Sequence, residues 1–213
     1  MNCCCPHSVS ANRLFSFFAR RYRKRFSRKG FEPSQKQLLT GLQQVGYSGK
    51  RVLEIGSGVG HLHQTLLEQG AQSAVGIDLA RNMIEEAESW AVERGLSERA
   101  RYYQGDFMNM EEELEAADVV ILDKVVCCYP DADGLVHKSL SKTRQVYALT
   151  YPRDRWYVRA GIAFGAFLMK LLRSNFRPYL HDPIQVEQWI TESGFKKQYE
   201  ANTLVWLTQV FAK

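Results

Sequence analysis

No uninterrupted apolar run in the 213-residue sequence reaches the length that a bilayer-spanning helix needs. The amino end shows no apolar stretch leading to a small-residue cleavage site, so the expectation is a chain that is not secreted. Disulfide chemistry is equally ill served. Five cysteines stand in two clumps, Cys3-Cys4-Cys5 and Cys127-Cys128, an odd number with no framework spacing. A reducing, cytoplasmic setting follows as the expectation. Metal ligation lacks a set: adjacent Cys127 and Cys128 cannot easily share one zinc, His61 and His63 fall on different faces of a helix start, and no metal is expected. Internal repeats and low-complexity segments are missing too.

Acid is scarce at the amino end. Residues 1–50 contain ten Lys or Arg and a single carboxylate, Glu32, whereas residues 51–213 hold eighteen bases and twenty-two acids. The formal net charge of +5 therefore belongs to an amino-terminal appendage on a mildly acidic body. With 45% hydrophobic and 24% charged residues, the balance is that of an ordinary globular domain.

What is present alternates in period. After a loose start, Leu14, Phe15, Phe18, Tyr22 and Phe26 fall on one side of a helix crowded elsewhere by arginines, and Gly30 stops it. A second helix is expected over 33–45. Strands are expected at 51–55, 73–78, 101–104, 119–122 and 146–150, with helices between them. The 119–122 run is apolar throughout, as a parallel strand covered on both faces requires. Residues 151–182 are too long for a simple connection and contain a mostly apolar helix over 156–172. A helix at 183–193 and a closing antiparallel pair, 195–199 and 204–211, complete the chain. The expected fold is α/β, a doubly wound, mostly parallel seven-stranded sheet with an antiparallel last strand and an amino-terminal helical appendage. The division expected is 1–34 as basic tail and helix and 35–213 as the main domain, with 151–182 an inserted helical cap.

The sharpest motif is Val52-Leu53-Glu54-Ile55-Gly56-Ser57-Gly58-Val59-Gly60, a strand running through three glycines into a helix. Such glycines allow positive φ and close backbone approach by a ligand. Asp78 follows Gly56 by twenty-two residues and ends the second strand, beside Leu79, where a carboxylate can accept both ribose hydroxyls of an adenosine. Asp106 ends the third strand with Phe107 available to stack on a base, and Asp123 ends the fourth. All four positions lie at carboxyl ends of strands, where an open sheet binds its ligand. A dinucleotide enzyme favours a third glycine one residue later. Glu54, awkward beside a pyrophosphate, suits a cationic amino-acid end.

This order resembles the class I S-adenosylmethionine-dependent methyltransferases, with Glu54 to Gly60, Asp78, Asp106 and Asp123 in the places of their successive motifs. The resemblance implies S-adenosylmethionine as cofactor, held by Glu54, Gly56, Ser57, Gly58, Gly60, Asp78, Leu79, Asp106, Phe107 and Asp123. A more distant similarity to the magnesium-protoporphyrin O-methyltransferases rests on Arg28-Lys29-Gly30, Tyr129-Pro130 and Tyr179-Leu180-His181. Cys128 stands where that group carries a histidine. The implied acceptor is a small hydrophobic or anionic molecule.

For the chemistry itself the expected residues are Asp123, Tyr129, Tyr151 and His181, with Lys124, Arg153 and Asp154 nearby; Lys124 is expected to be solvated. The leading helix is read as a lid over the cleft, and contact with an anionic membrane is the second reading. The alternatives are an RNA or protein methyltransferase recruited by that helix, and a non-catalytic, membrane-docking cofactor module. Asp123-Lys124-Val125-Val126 lacks the proline pair with which adenine-modifying enzymes grip a flipped base, so nucleic acid is disfavoured. Oligomeric state is not legible.

Overall fold

The computed structural model describes residues 6–171 and 177–213. The Cys3–Cys5 clump and the end of the expected 156–172 helix lie outside the described residues, as do the side chains of Leu14 and Phe15.

Helix α1 (Pro6–Lys29) ends at Gly30, whose φ of 65° takes the left-handed form that glycine adopts without strain. Helix α2 (Pro33–Val45) starts from a capping box. Glu32 accepts from the Gln35 backbone while its own N–H donates to Gln35 Oε1 at 3.2 Å, and Pro33 takes the first helical position. Strand β1 (Arg51–Ile55), helix α3 (His61–Glu68), strand β2 (Ser73–Asp78), helix α4 (Arg81–Glu93) and strand β3 (Ala100–Gln104) form the first half. The second half comprises a short helix α5 (Phe107–Met110), β4 (Ala117–Asp123), α6 (Ala132–Ser141) and β5 (Thr143–Pro152). Then come α7 (Trp156–Leu171), α8 (Pro183–Glu192), β6 (Lys196–Asn202) and β7 (Trp206–Ala212).

The seven strands order as β3-β2-β1-β4-β5-β7-β6. The first five are parallel neighbours, and β7 runs antiparallel between β5 and β6. This is the expected doubly wound sheet. Along β4 the side chains alternate between two cores: Val120 and Leu122 pack with Leu53, Tyr147 and Phe195, while Val119 and Ile121 pack with Leu38, Leu62 and Leu66. The unbroken apolar run 119–122 within β4 thus serves two helical layers at once.

Strand β5 is longer than the expected 146–150, because β7 pairs along its whole carboxyl end, with Tyr151 opposite Leu207 and Pro152 opposite Trp206. That extension has a consequence for Tyr151. It falls in step with Tyr147 and Leu149, so it points into the core, where it is 1% exposed and donates to Gln209 Oε1 at 2.8 Å.

Helix α1 lies on α4. Ala19 is buried, Arg23 pairs with Glu86 at 3.2 Å and also with Glu93, and Phe26 sets its ring edge-on to Trp90 at 5.3 Å. Ala19, Arg23 and Phe26 thus form an internal contact surface with α4.

Candidate active site

Between β1 and β4 the strand order reverses, and there the carboxyl ends of the strands open a cleft. Its cavity measures about 510 Å³, the size of a small-molecule site. Gly56, Gly58 and Gly60 all have positive φ, at 68°, 54° and 76°. Gly56 is the most constrained, since a Cβ there would stand 2.4 Å from Val125 Cγ2. Gly56→Ala is expected to cost about 1–3 kcal/mol through backbone strain and overpacking, read as a lower urea midpoint.

Asp78 closes the turn from the neighbouring strand. Its Oδ2 accepts from Gly58 N and its Oδ1 from Ala80 N, both at 2.8 Å. Burial pushes its carboxyl up to about 6, against the pull of those two N–H groups. Asp106 caps α5: Oδ1 accepts from Met108 N at 3.1 Å and from the Tyr129 hydroxyl at 2.8 Å. Burial, and then the neighbouring Asp106 charge, hold the Tyr129 phenol far above its ordinary range. Tyr129 thus stays protonated and steadies Asp106. Phe107 forms part of the cleft wall with its ring sunk in the core, and Leu79 lines the wall nearby.

Glu54 is buried beneath the turn, and Oε2 accepts from His63 N at 3.2 Å and meets His63 Nδ1 at 2.6 Å. Its carboxyl is raised by burial, opposed by His63. Tyr102 accepts from Gln64 Nε2 at 2.7 Å, so its hydroxyl donates onward to His63 Nε2 at 3.0 Å. The histidine proton is therefore on Nδ1 and points at Glu54.

The far end of the cleft is polar and was largely invisible in the sequence. Gln35 spends its carbonyl on the Glu32 cap, so its two amide hydrogens go to Asp123 Oδ2 at 2.8 Å and His61 Nε2 at 2.9 Å. Burial, aided by the charge of Lys124, pushes His61 down to about 3 and keeps the ring neutral. Its Nδ1 has no hydrogen-bond partner among the described residues, and neither has Asp123 Oδ1 or Ser57 Oγ. Lys124, expected in solvent, instead pairs with Glu32 Oε2 at 2.7 Å and lies 3.7 Å from Asp123 Oδ2. Glu32 also pairs with Arg25; burial raises its carboxyl, but these two cations outweigh it and leave it below the usual range. Tyr22, Arg25 and Phe26 of α1 complete this end. A capping-box spacing at Glu32 and Gln35 was the one sequence signal available for it.

The cleft gathers Glu54, Gly56, Ser57, Gly58, Asp78, Leu79, Asp106, Phe107, Asp123 and Tyr129. Three expected site residues fall elsewhere. Gly60 is turned away, because it sits at the start of α3 against Ala87 and Gln64, where it shapes the turn and lets helix α4 approach. Tyr151 is locked in the core by the strand alternation described above. His181 faces a second cavity beside Asp154, Arg159 and Ile162, and its Nε2 donates to the Tyr129 carbonyl at 3.0 Å. The 151–155 loop and α7 likewise do not line the main cleft; Arg153 is spent on the Thr203 carbonyl at 2.9 Å.

A glycine turn, a strand-ending carboxylate and a cleft at the sheet's switch point define a nucleoside-binding Rossmann-like protein. The buried atoms of Ser57 and Asp123 left without partners suit a ligand carrying both donors and acceptors. Residues 52–146 match the family model described as a methyltransferase domain. The ubiquinone biosynthesis O-methyltransferase of Pseudomonas aeruginosa (strain LESB58) is 29% identical over 161 residues, covering 72% of this chain and 68% of that protein. Its counterpart in Pseudomonas fluorescens (strain SBW25) is 25% identical over 158 residues, covering 71% and 67%. The crystal structure of magnesium protoporphyrin IX methyltransferase from Synechocystis PCC 6803 with bound S-adenosylmethionine aligns over 100% of both chains, with a TM-score of 0.70 at 18% identity. The chain thus carries a methyltransferase domain over residues 52–146, on the fold of the S-adenosylmethionine-bound enzyme.

Proposed function

We propose that the chain is a class I S-adenosylmethionine-dependent methyltransferase and that it methylates an oxygen of a small hydrophobic or anionic molecule. The observation that carries this reading is the pairing of an apolar cleft wall with a compact polar end. There His61 Nδ1–H and Asp123 Oδ1 lack partners among the described residues and Lys124 brings a cation beside them. The names of the O-methyltransferases similar to it favour oxygen over nitrogen or sulfur.

The sulfonium of the cofactor supplies an activated methyl group; the rest is position. Asp78 takes the ribose hydroxyls, Glu54 faces the methionine ammonium, and the Asp106–Phe107 corner takes the adenine. At the other end Lys124 attracts an anionic acceptor, His61 Nδ1–H donates to it, and Asp123 Oδ1 receives a proton if the acceptor is a phenol. Holding the acceptor in line with the methyl contributes about 7–11 kcal/mol through orientation. In this reading the helix over residues 14–26 is a lid whose Tyr22 and Phe26 shield the cleft from water, 1–34 are the basic appendage that contains it, and 35–213 form the catalytic body. Cys127 and Cys128, both thiols within the fold, accord with a reducing cytoplasm. Among the described residues no helix is long and apolar enough to cross a membrane.

Incubation with methyl-labelled cofactor and a panel of phenols, quinols and hydrophobic carboxylates tests the reading by mass spectrometry. Label is expected on a hydroxyl or carboxylate. Lys124→Ala is expected to raise KM for the anionic members at least ~10-fold with little change in cofactor affinity, as for loss of one partly buried charge contact. Label found only in RNA or protein would overturn it.

A further inference from the structure

Helix α7 wears its apolar side outward. Its buried residue is Val158, whereas Trp156, Phe164, Phe167 and Leu171 are 79%, 63%, 63% and 71% exposed. At 100° per residue these four, with Leu168, fall within one arc of about 120° on the side opposite Val158. No carboxylate occurs between residues 155 and 181, while Arg155, Lys170 and Arg177 are exposed bases on the same stretch. An aromatic and aliphatic arc edged by cations is the composition of a helix that lies in a lipid interface.

We propose that α7 docks the enzyme on the surface of an anionic lipid bilayer. A second copy of the chain fits this face less well, since pairing two such helices would set their cationic edges against each other with no acid to offset them. On the leading helix, Phe26 already packs on Trp90 of α4, and Tyr22 and Phe26 line the cleft. The segment after α7 returns to the cleft wall: Tyr179 N donates to the Cys127 carbonyl at 2.8 Å and His181 to that of Tyr129. Tyr179 and His181, eight and ten residues beyond the end of α7, thus hydrogen-bond to the loop carrying Cys128 and Tyr129. That geometry suits an acceptor dissolved in the bilayer, a consequence that rests on the acceptor reading above; the docking itself does not.

Co-sedimentation of the full chain with vesicles of phosphatidylcholine alone, or mixed with phosphatidylglycerol, tests it. Binding is expected to the mixed vesicles, to weaken as salt is raised, and to fall about 100-fold in Phe164→Ser/Phe167→Ser with cofactor binding unchanged. Should that variant not fold, brominated acyl chains are expected to quench tryptophan emission of the otherwise unaltered chain, an effect lost in Trp156→Phe. The proposal is overturned if the unaltered chain stays in the supernatant with both vesicles, or if the serine variant binds as well as it does. It is also overturned if velocity sedimentation without lipid shows a dimer that the serine variant dissociates. Methyl transfer to soluble acceptors is read separately, so failure of docking and failure of the acceptor reading are distinguishable.

Discussion

Asp78→Ala is expected to abolish cofactor binding in a calorimetric titration, weakening it at least ~100-fold. Two hydrogen bonds from ribose hydroxyls to an ionised carboxylate contribute about 1.5–3 kcal/mol each, and the substitution removes both. It also frees Gly58 N and Ala80 N, so a thermal melt of the variant must accompany the titration. The same carboxylate predicts a pH dependence. In the free enzyme burial holds it at about 6, and ribose donors favour its ionised form. Affinity is therefore expected to be level above that pH and to drop ~10-fold for each unit below it. Stability runs the other way. Because the folded value lies above the unfolded one, the fold keeps a proton that the unfolded chain releases, and this group's stabilising contribution is lost as pH rises from 3.8 toward 6. Acid should thus weaken the cofactor without loosening the fold through Asp78. Binding that persists undiminished at pH 5 would remove the ribose assignment.

His63→Leu is expected to be the most damaging change to the fold itself. The ring is completely buried and links the Tyr102 hydroxyl to Glu54 in a chain of hydrogen bonds. Leucine fills the space but leaves a buried carboxylate without its side-chain partner, a loss of about 3–5 kcal/mol. Glu54, already raised by burial, would rise further in the variant. The penalty should therefore grow as pH is raised and Glu54 is forced to ionise. Urea unfolding at two pH values checks this. Adding Glu54→Gln should recover part of the loss, since an amide is cheaper to bury than a charge. Equal penalties at both pH values, with no recovery, would mean that the histidine acts through packing alone.

The two ends of the cleft differ in how far they could be read from sequence. The cofactor end is local: strand, glycine turn, and carboxylates at strand ends are each set by a few adjacent residues, and parallel winding brings those ends together. The proposed acceptor end is assembled from Glu32, Gln35, His61 and Lys124, which the chain separates by up to 92 residues. No spacing rule links a helix cap to a lysine after β4. His63 escaped notice for a similar reason, because its partner Glu54 had been assigned wholly to the ligand. Tyr151 misled because β5 continues two residues past its evident apolar run, and that extension decides whether the ring faces the cleft or the core. Gly60 lies in the motif, but its neighbours are Ala87 and Gln64, contacts that only the packing of α4 reveals.

The margins of the sheet bear on how the molecule behaves in a crowd. Strand β6 forms one border, and its sequence of Lys196, Lys197, Gln198 and Glu200 puts exposed charge along the unpaired backbone. Its register with β7 slips between Lys197 and Tyr199, which spoils the flat template that another strand would need. At the opposite border Arg101 is exposed on β3. Fibril-like growth by strand addition is thereby discouraged at both rims, so any clumping of the purified protein should start at the bare aromatic helix and yield to detergent.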